Sequence, residues 1–400
     1  MKVLIINSVP YGSTATISCN IAKVARESGY DAQVAFGYSY HPIQGFDYIK
    51  IGGFIDKGIH LILSRITGLH GVFSHLSTWK FIQQLKKYDP DLIHIHNLHG
   101  WYINIPMLLK YINDNNKPVV WTLHDCWALT GHCPHFDMIG CERWKTECHN
   151  CPIHGNYPKT YIDESRMMHR LKKKWFGGIN DLTIVTPSKW LQKQVSQSYL
   201  KDKKSLVINN GINLDVFHPI KSDFRSKYHI EDKFIIIGVS FGWDDKKGLD
   251  VFVQLSKSLP ENYQVILVGT DEKVEKILPK EIIAIRRTQS QKDLAEIYSS
   301  ANVFANFTRE ETFPTVNIEA LACGLPVITF KTGGSPEIID GTCGAVVEKD
   351  DISALMEEIE RIHRQHPYTA EACRKRAEER YESIDRFKEY IELYKSILNE

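Results

Sequence analysis

Short β-branched runs alternate with amphipathic stretches along nearly the whole chain, and after Asn209 the alternation starts again. Parallel strands buried on both faces read as near-continuous apolar runs, and each needs a crossover, usually a helix, to reach the next. The pattern therefore restricts the chain to the α/β class, parallel sheets covered by helices. Strands are expected at Val3 to Asn7, Ala32 to Phe36, Leu92 to His96, Val119 to Leu123 and Leu182 to Thr186. A second set is expected at Phe234 to Val239, Gln264 to Gly269, Ile282 to Arg286, Val303 to Asn306 and Val327 to Phe330. At 400 residues the chain is too long for one average core and suits two. Asn209-Asn210-Gly211-Ile212-Asn213 is the linker candidate, because Asn and Gly tolerate left-handed backbone. The expected division is 1–212, 213–382 and a terminal helix, 383–400, whose Phe387, Ile391 and Tyr394 would return to the first domain. Open α/β sheets bind ligands beyond the carboxyl ends of their strands, so two such domains facing each other would share one cleft.

Lys and Arg number 49 against 48 Asp and Glu, a net charge of +1 that removes the whole-molecule case for nucleic-acid binding. The opening MKVLIINSVPYGS is apolar for too few residues to be a signal peptide, and reads as a buried strand. No stretch reaches the roughly 20 apolar residues of a membrane span. The cytoplasm is the expected compartment, with peripheral contact at the inner membrane face as the alternative to a free enzyme. The stretch Phe54 to Tyr88 mixes Ile55, Ile59, Ile62, Leu63 and Ile66 with Lys57, Arg65, Lys80, Lys86 and Lys87. It could rest on an anionic bilayer, but a helix packed on its own domain with a solvated basic face is the expectation. Lys172 to Lys174, before Trp175, are read in the same way.

The most informative stretch is Glu311-Thr-Phe-Pro-Thr-Val-Asn-Ile-Glu319, continued by Ala320-Leu-Ala-Cys-Gly324-Leu-Pro326. It reads as a loop, a helix begun near Pro314 and ended at Gly324, then a strand. Unpaired amides at a helix N-terminus suit a diphosphate. Two carboxylates eight residues apart would lie on the order of 12 Å apart on a continuous helix. That is beyond the roughly 5 to 9.5 Å of a glycosidase pair, and fits two groups bracketing a long ligand.

Here the chain closely resembles the retaining glycosyltransferases of family four, which have the GT-B fold of two Rossmann-like domains. Their Glu-x7-Glu motif matches Glu311 and Glu319, followed by the same Glu-Ala-Leu-Ala-Cys-Gly-x-Pro-Val run and Gly333-Gly334-Ser-Pro-Glu337. The resemblance implies that Glu311 contacts the transferred sugar and Glu319 the ribose hydroxyls. It places the diphosphate on backbone amides of Phe313, Pro314, Thr315 and Val316, Pro314 contributing only to the shape of that segment. Lys247 matches the family's phosphate-binding lysine, whereas Gly242 stands where the family usually has an Arg. Gly12 and Ser13 correspond to the loop that approaches the phosphates. His124, in the His124-Asp125 pair, corresponds to a donor-sugar contact; the competing reading is a buried His bonded to Asp125. For the acceptor, His99 and Tyr102 are chosen from the polar and aromatic residues beyond the strand ending at His96.

Cys133, Cys141, Cys148 and Cys151 follow the spacing C-x7-C-x6-C-x2-C within a long loop from about 126 to 158. Four thiolates suit tetrahedral zinc, and a loop of this length needs a staple. Structural zinc is expected ahead of reduced thiols, and disulfides come third.

These readings converge on a hexosyl-type transferase. It would move a sugar, with retention, from a UDP- or GDP-sugar to a saccharide or lipid-linked saccharide of a surface polysaccharide, without a catalytic divalent metal. His124, Lys247 and Glu311 are the expected catalytic residues. The rivals are a phosphorylase or nucleotide-sugar epimerase on the same fold, and a non-catalytic zinc module.

Overall fold

The computed structural model describes residues 1–39 and 46–399. Its contacts divide the chain into one unit of residues 1–209 with 386–400, and a second of residues 210–385. The first holds a seven-stranded sheet of β1 (Lys2–Asn7), β2 (Asp31–Gly37), β3 (Ile49–Ile51), β4 (Leu92–Ile95), β5 (Val119–Thr122), β6 (Leu182–Thr186) and β7 (Lys204–Val207), in the order β3-β2-β1-β4-β5-β6-β7. The second holds six strands, β8 (Phe234–Val239), β9 (Tyr263–Thr270), β10 (Ile282–Arg286), β11 (Val303–Asn306), β12 (Val327–Phe330) and β13 (Gly344–Val347), in the order β10-β9-β8-β11-β12-β13. Every pairing in both sheets is parallel.

Alternation along each central strand feeds two cores at once. In β1, Leu4 and Ile6 join the core containing Trp121, while Val3 and Ile5 join the one on the opposite face. In β8, Ile235 and Ile237 face one core and Phe234 and Ile236 the other. The last helix, Ser383–Leu398, adds Phe387, Tyr390, Ile391 and Tyr394 to the core behind β1. Tyr394 OH lies 2.6 Å from Nδ1 of His94, and Tyr390 OH lies 3.2 Å from Thr122 Oγ1. No helix among the described residues is long and apolar enough to cross a membrane.

Candidate active site

In the second sheet the strand order reverses between β8 and β11, the place where an open α/β sheet leaves room for a ligand. Lys247 follows β8 in a single turn, Asp245–Lys247, capped by Asp244, whose Oδ1 accepts the Lys247 amide at 3.1 Å. Glu311 follows β11, and its Oε2 lies 3.2 Å from Lys247 Nζ. A second pair runs alongside it. Lys246 Nζ lies 3.2 Å from Oε2 of Glu310, whose side chain is 4% exposed, so Lys246 is an ion-pair member rather than a freely solvated lysine.

Arg309 locks these two loops together. Its amide donates to Lys246 O at 2.8 Å, and its guanidinium takes both oxygens of Asp250 at 2.7 Å each and Asp350 at 2.8 Å. A two-pronged Arg–carboxylate contact fixes orientation as well as distance. The loop after β12 closes against the same point. Gly333 has φ +55°, and a Cβ there would fall 1.6 Å from Glu311 O, so the close approach needs glycine.

The helix Thr315–Ala322 starts at Pro314 with no side-chain cap and no acidic residue in its first turn. Phe313 is buried with its ring against Tyr381. The exit from Glu311 is thereby held, while the positive end of the helix keeps no anionic side chain of its own. At Gly242 a Cβ would meet nothing within 4 Å. The adjacent Trp243 is core, its Nε1 donating to Val268 O at 3.0 Å.

Glu319 Oε2 accepts from Tyr298 OH at 3.2 Å. Burial pushes its carboxyl up to about 7, against the hydrogen bonds from Tyr298 and Thr315. A carboxyl whose pKa is raised by folding binds protons more tightly in the folded chain. Its stabilising contribution is full below the ordinary glutamate pKa and is lost as pH rises through about 7. Glu319→Gln is therefore expected to match the wild type's thermal stability at pH 5 and to exceed it at pH 8, by on the order of 1 to 3 kcal/mol. Equal unfolding temperatures at pH 8 would remove the basis for this shift.

In the first sheet the order reverses between β1 and β4. Gly12 opens the helix after β1 with φ +78° and open space around its Cβ position, so the backbone angle rather than crowding calls for glycine. Exposed Ser13 follows it. This helix too begins without a side-chain cap or a first-turn acid.

His124 leaves β5 and stacks on His96, with ring centroids 5.1 Å apart and His124 Nε2 lying 2.8 Å from His96 Nδ1. Burial lowers His124 to about 4, and it lowers His96 as well, so both imidazoles are neutral near pH 7. Asp125 is bonded not to His124 but to His99, whose Nε2 lies 2.8 Å from Asp125 Oδ2; His99 Nδ1 lies 2.9 Å from Tyr157 OH. The alternative of a His124–Asp125 structural pair is thus replaced by two separate contacts. Burial alone would raise Asp125, but the charge and hydrogen bond of His99 outweigh it and hold the carboxyl at about 2. Tyr102, read as an acceptor contact, is 3% exposed and donates its OH to Asn97 O at 2.8 Å. It pins the loop after β4 from inside.

The cysteine loop also departs from expectation. Cys133, Cys141, Cys148 and Cys151 all border one cavity of about 20 Å³. Among the described residues, however, no three His, Cys, Asp or Glu side chains are placed to hold a metal ion, and all four thiols are free. Burial pushes Cys133 up to about 12 and Cys148 to about 11. The donor set does not fit zinc, and the staple lies elsewhere. Lys172, expected on a solvated basic face, is fully buried. Its Nζ donates to Trp127 O at 2.7 Å and Thr130 O at 3.0 Å and sits 3.4 Å from the centre of the Trp127 ring. Trp144 stacks on Phe136 at 4.8 Å inside the same loop.

Residues 19–216 match the profile described as Glycosyltransferase Family 4, and residues 231–365 match Glycosyl transferases group 1. The chain is a family-four glycosyltransferase. This glycosyltransferase is 25% identical over 277 residues to a putative colanic acid biosynthesis glycosyl transferase, WcaC, of Escherichia coli, a match that covers 67% of this chain and 66% of that one. The alignment thus spans just under two-thirds of that relative's length. Its fold is GT-B. The sucrose-phosphate synthase of Thermosynechococcus elongatus superposes with a TM-score of 0.74 at 18% identity, over 100% of this chain and 99% of the other. Anabaena HepE, solved in complex with UDP, gives 0.70 at 16% identity, over 99% and 100%.

Proposed function

We propose that this family-four glycosyltransferase transfers a hexosyl group, with retention at the anomeric carbon, from a nucleotide-sugar to a saccharide or lipid-linked saccharide of a bacterial surface polysaccharide. The observation that carries this reading is the Lys247–Glu311 pair, 3.2 Å apart, at the strand-order reversal that also leads into the uncapped helix Thr315–Ala322. A diphosphate laid on Thr315 and Val316 puts its charge against the helix end, with Lys247 beside the bridging oxygen. As the bond from the anomeric carbon to that oxygen breaks, negative charge grows on the departing nucleoside diphosphate. A fixed ammonium and fixed amides stabilise that charge more than they stabilise the ground state. Glu311 accepts from the sugar hydroxyls, Glu319 from the ribose, and neutral His124 meets the donor sugar as a hydrogen-bonding group rather than a charge. His99 is the proposed acceptor contact. The contexts of the relatives, colanic acid synthesis and a UDP complex, favour a surface saccharide as acceptor and make UDP the first nucleotide to test, with GDP second.

Titration calorimetry with UDP and GDP tests the ribose assignment. An ionised carboxylate accepting a hydrogen bond contributes about 1.5 to 3 kcal/mol, so Glu319→Gln should bind the preferred nucleotide roughly 10- to 150-fold more weakly at pH 8. At pH 6, where Glu319 is itself largely protonated, the gap should close. An affinity indifferent to the substitution at pH 8 would remove Glu319 from the ribose.

A further inference from the structure

The helix Phe54–Thr67 presents its apolar side to solvent. The residues it buries are His60 and Ser64, and His60 Nδ1 lies 2.7 Å from Ser74 Oγ. Ile55, Ile59, Ile62 and Ile66 are instead 53–73% exposed, and their spacing of four, three and four residues sets them in one stripe along the helix. Both ends of the stripe extend onto neighbouring elements. At the start, a cavity of about 210 Å³ joins Asp56 to Leu76 and Lys80 of the helix His75–Tyr88, whose first turns also expose Trp79. At the other end, Tyr161 N donates to Arg65 O at 2.8 Å, which brings exposed Tyr161 and Ile162 alongside. Contiguous apolar surface of this kind, left in water, marks a surface that meets something.

Charge identifies the occupant. The two helices carry Lys57, Arg65, Lys80, Lys86 and Lys87 against a single carboxylate, Asp56, which already accepts from Gly53 N at 3.3 Å. Lys57 is turned inward to Tyr38 O, but Lys80, Lys86 and Lys87 are exposed, and Lys50 and Lys80 both line the cavity beside the stripe. An isoleucine stripe, an exposed Trp and flanking lysines on two helices that carry one carboxylate between them make up the chemistry of a helix lying in an anionic lipid interface, with Glu164 at the far end of the stripe the acid that opposes it. We propose that this face docks the protein on an anionic bilayer, with the stripe sunk to the headgroup boundary and Lys50 and Lys80 on lipid phosphates. The proposal goes beyond the transfer reaction, and its test needs no activity.

The full-length protein is mixed with vesicles of phosphatidylcholine alone, or of phosphatidylcholine with phosphatidylglycerol, and pelleted. Binding is expected with the mixed vesicles, weaker with the zwitterionic ones, and weakened by added salt. Ile59→Asp with Ile62→Asp should reduce binding by at least about tenfold, since a charge at the acyl boundary is costly. Because both side chains lie in solvent, the variant's unfolding temperature should stay at the wild-type value. Lys80→Glu should weaken binding severalfold. The proposal is overturned if the wild type ignores anionic vesicles, or if the double variant pellets as well as the wild type. It is also overturned if light scattering shows a dimer that the double variant dissociates while neither protein binds vesicles, since the face would then be an interface between copies.

Discussion

Lys247→Ala is expected to lower kcat with the natural donor by about 100- to 1,000-fold, the usual effect of removing one fixed group aimed at charge that develops in the transition state. The affinity for free nucleotide should fall much less, because the charge on the bridging oxygen appears only as the bond breaks. A donor whose leaving group is intrinsically better carries less of this burden, so it should lose less in the variant. Glu311 is part of the same unit, its carboxylate 3.2 Å from the ammonium. Adding Glu311→Gln to Lys247→Ala should therefore cost less than the product of the two single effects. Steady-state kinetics with two donors of different leaving-group quality decide the matter. Equal losses with both donors, or a loss confined to nucleotide affinity, would make Lys247 a simple binding residue and would remove the charge argument.

The neighbourhood of Lys247 was only half legible in the sequence. The strands were, because runs such as Phe234 to Val239, apolar on both faces, can only be central in a parallel sheet. The short strands Ile49–Ile51, Lys204–Val207 and Gly344–Val347 were not, since three or four residues carry too little periodicity. Glu311 and Glu319 stood out through a long motif. Arg309 and Glu310, which fix the loop, stood out through nothing local: Arg309's carboxylate partner Asp250 is 59 residues away, and only folding brings the two together.

Two misreadings share one cause: composition and periodicity identify a side chain's chemistry but not the direction it faces. Tyr102, beyond a strand end, looked like a ligand-facing aromatic, yet its phenol reaches back to Asn97 O. The helix Phe54–Thr67 has the expected apolar stripe, but the side that meets the domain is the one carrying His60 and Ser64. A moment fixes a face relative to the helix axis and says nothing of what that face meets. Its signal was the polar pair His60 and Ser64, four residues apart on one side of an otherwise apolar helix.

The same limit hid Lys172, and the second large effect is expected there. Lys172→Met keeps most of the stem's volume but leaves the Trp127 and Thr130 carbonyls buried without their donor and takes the ammonium from the Trp127 ring. Each of the two unsatisfied carbonyls costs about 1 to 3 kcal/mol and a desolvated cation–π contact about 2, offset in part because burial already lowers Lys172 to about 7 and methionine buries no charge, so a net loss of roughly 3 to 5 kcal/mol is expected. For a unit of this size that is a fall in unfolding temperature on the order of 10 °C. Cys133 and Cys148 lie close enough to the ammonium to influence its titration, and the ammonium in turn lowers the Cys148 thiol, so in the folded variant Cys148 should react more slowly with a disulfide reagent than in the wild type. Arginine should not rescue the site, because a planar fork does not fit a pocket built for a compact ammonium. A chelator is the discriminating control. If Lys172 staples the loop, chelation leaves the wild type's unfolding temperature and thiol reactivity where they were. If chelation lowers that temperature as far as Lys172→Met does, or if Lys172→Met unfolds with the wild type, a metal rather than the lysine holds the segment between His124 and Ser165.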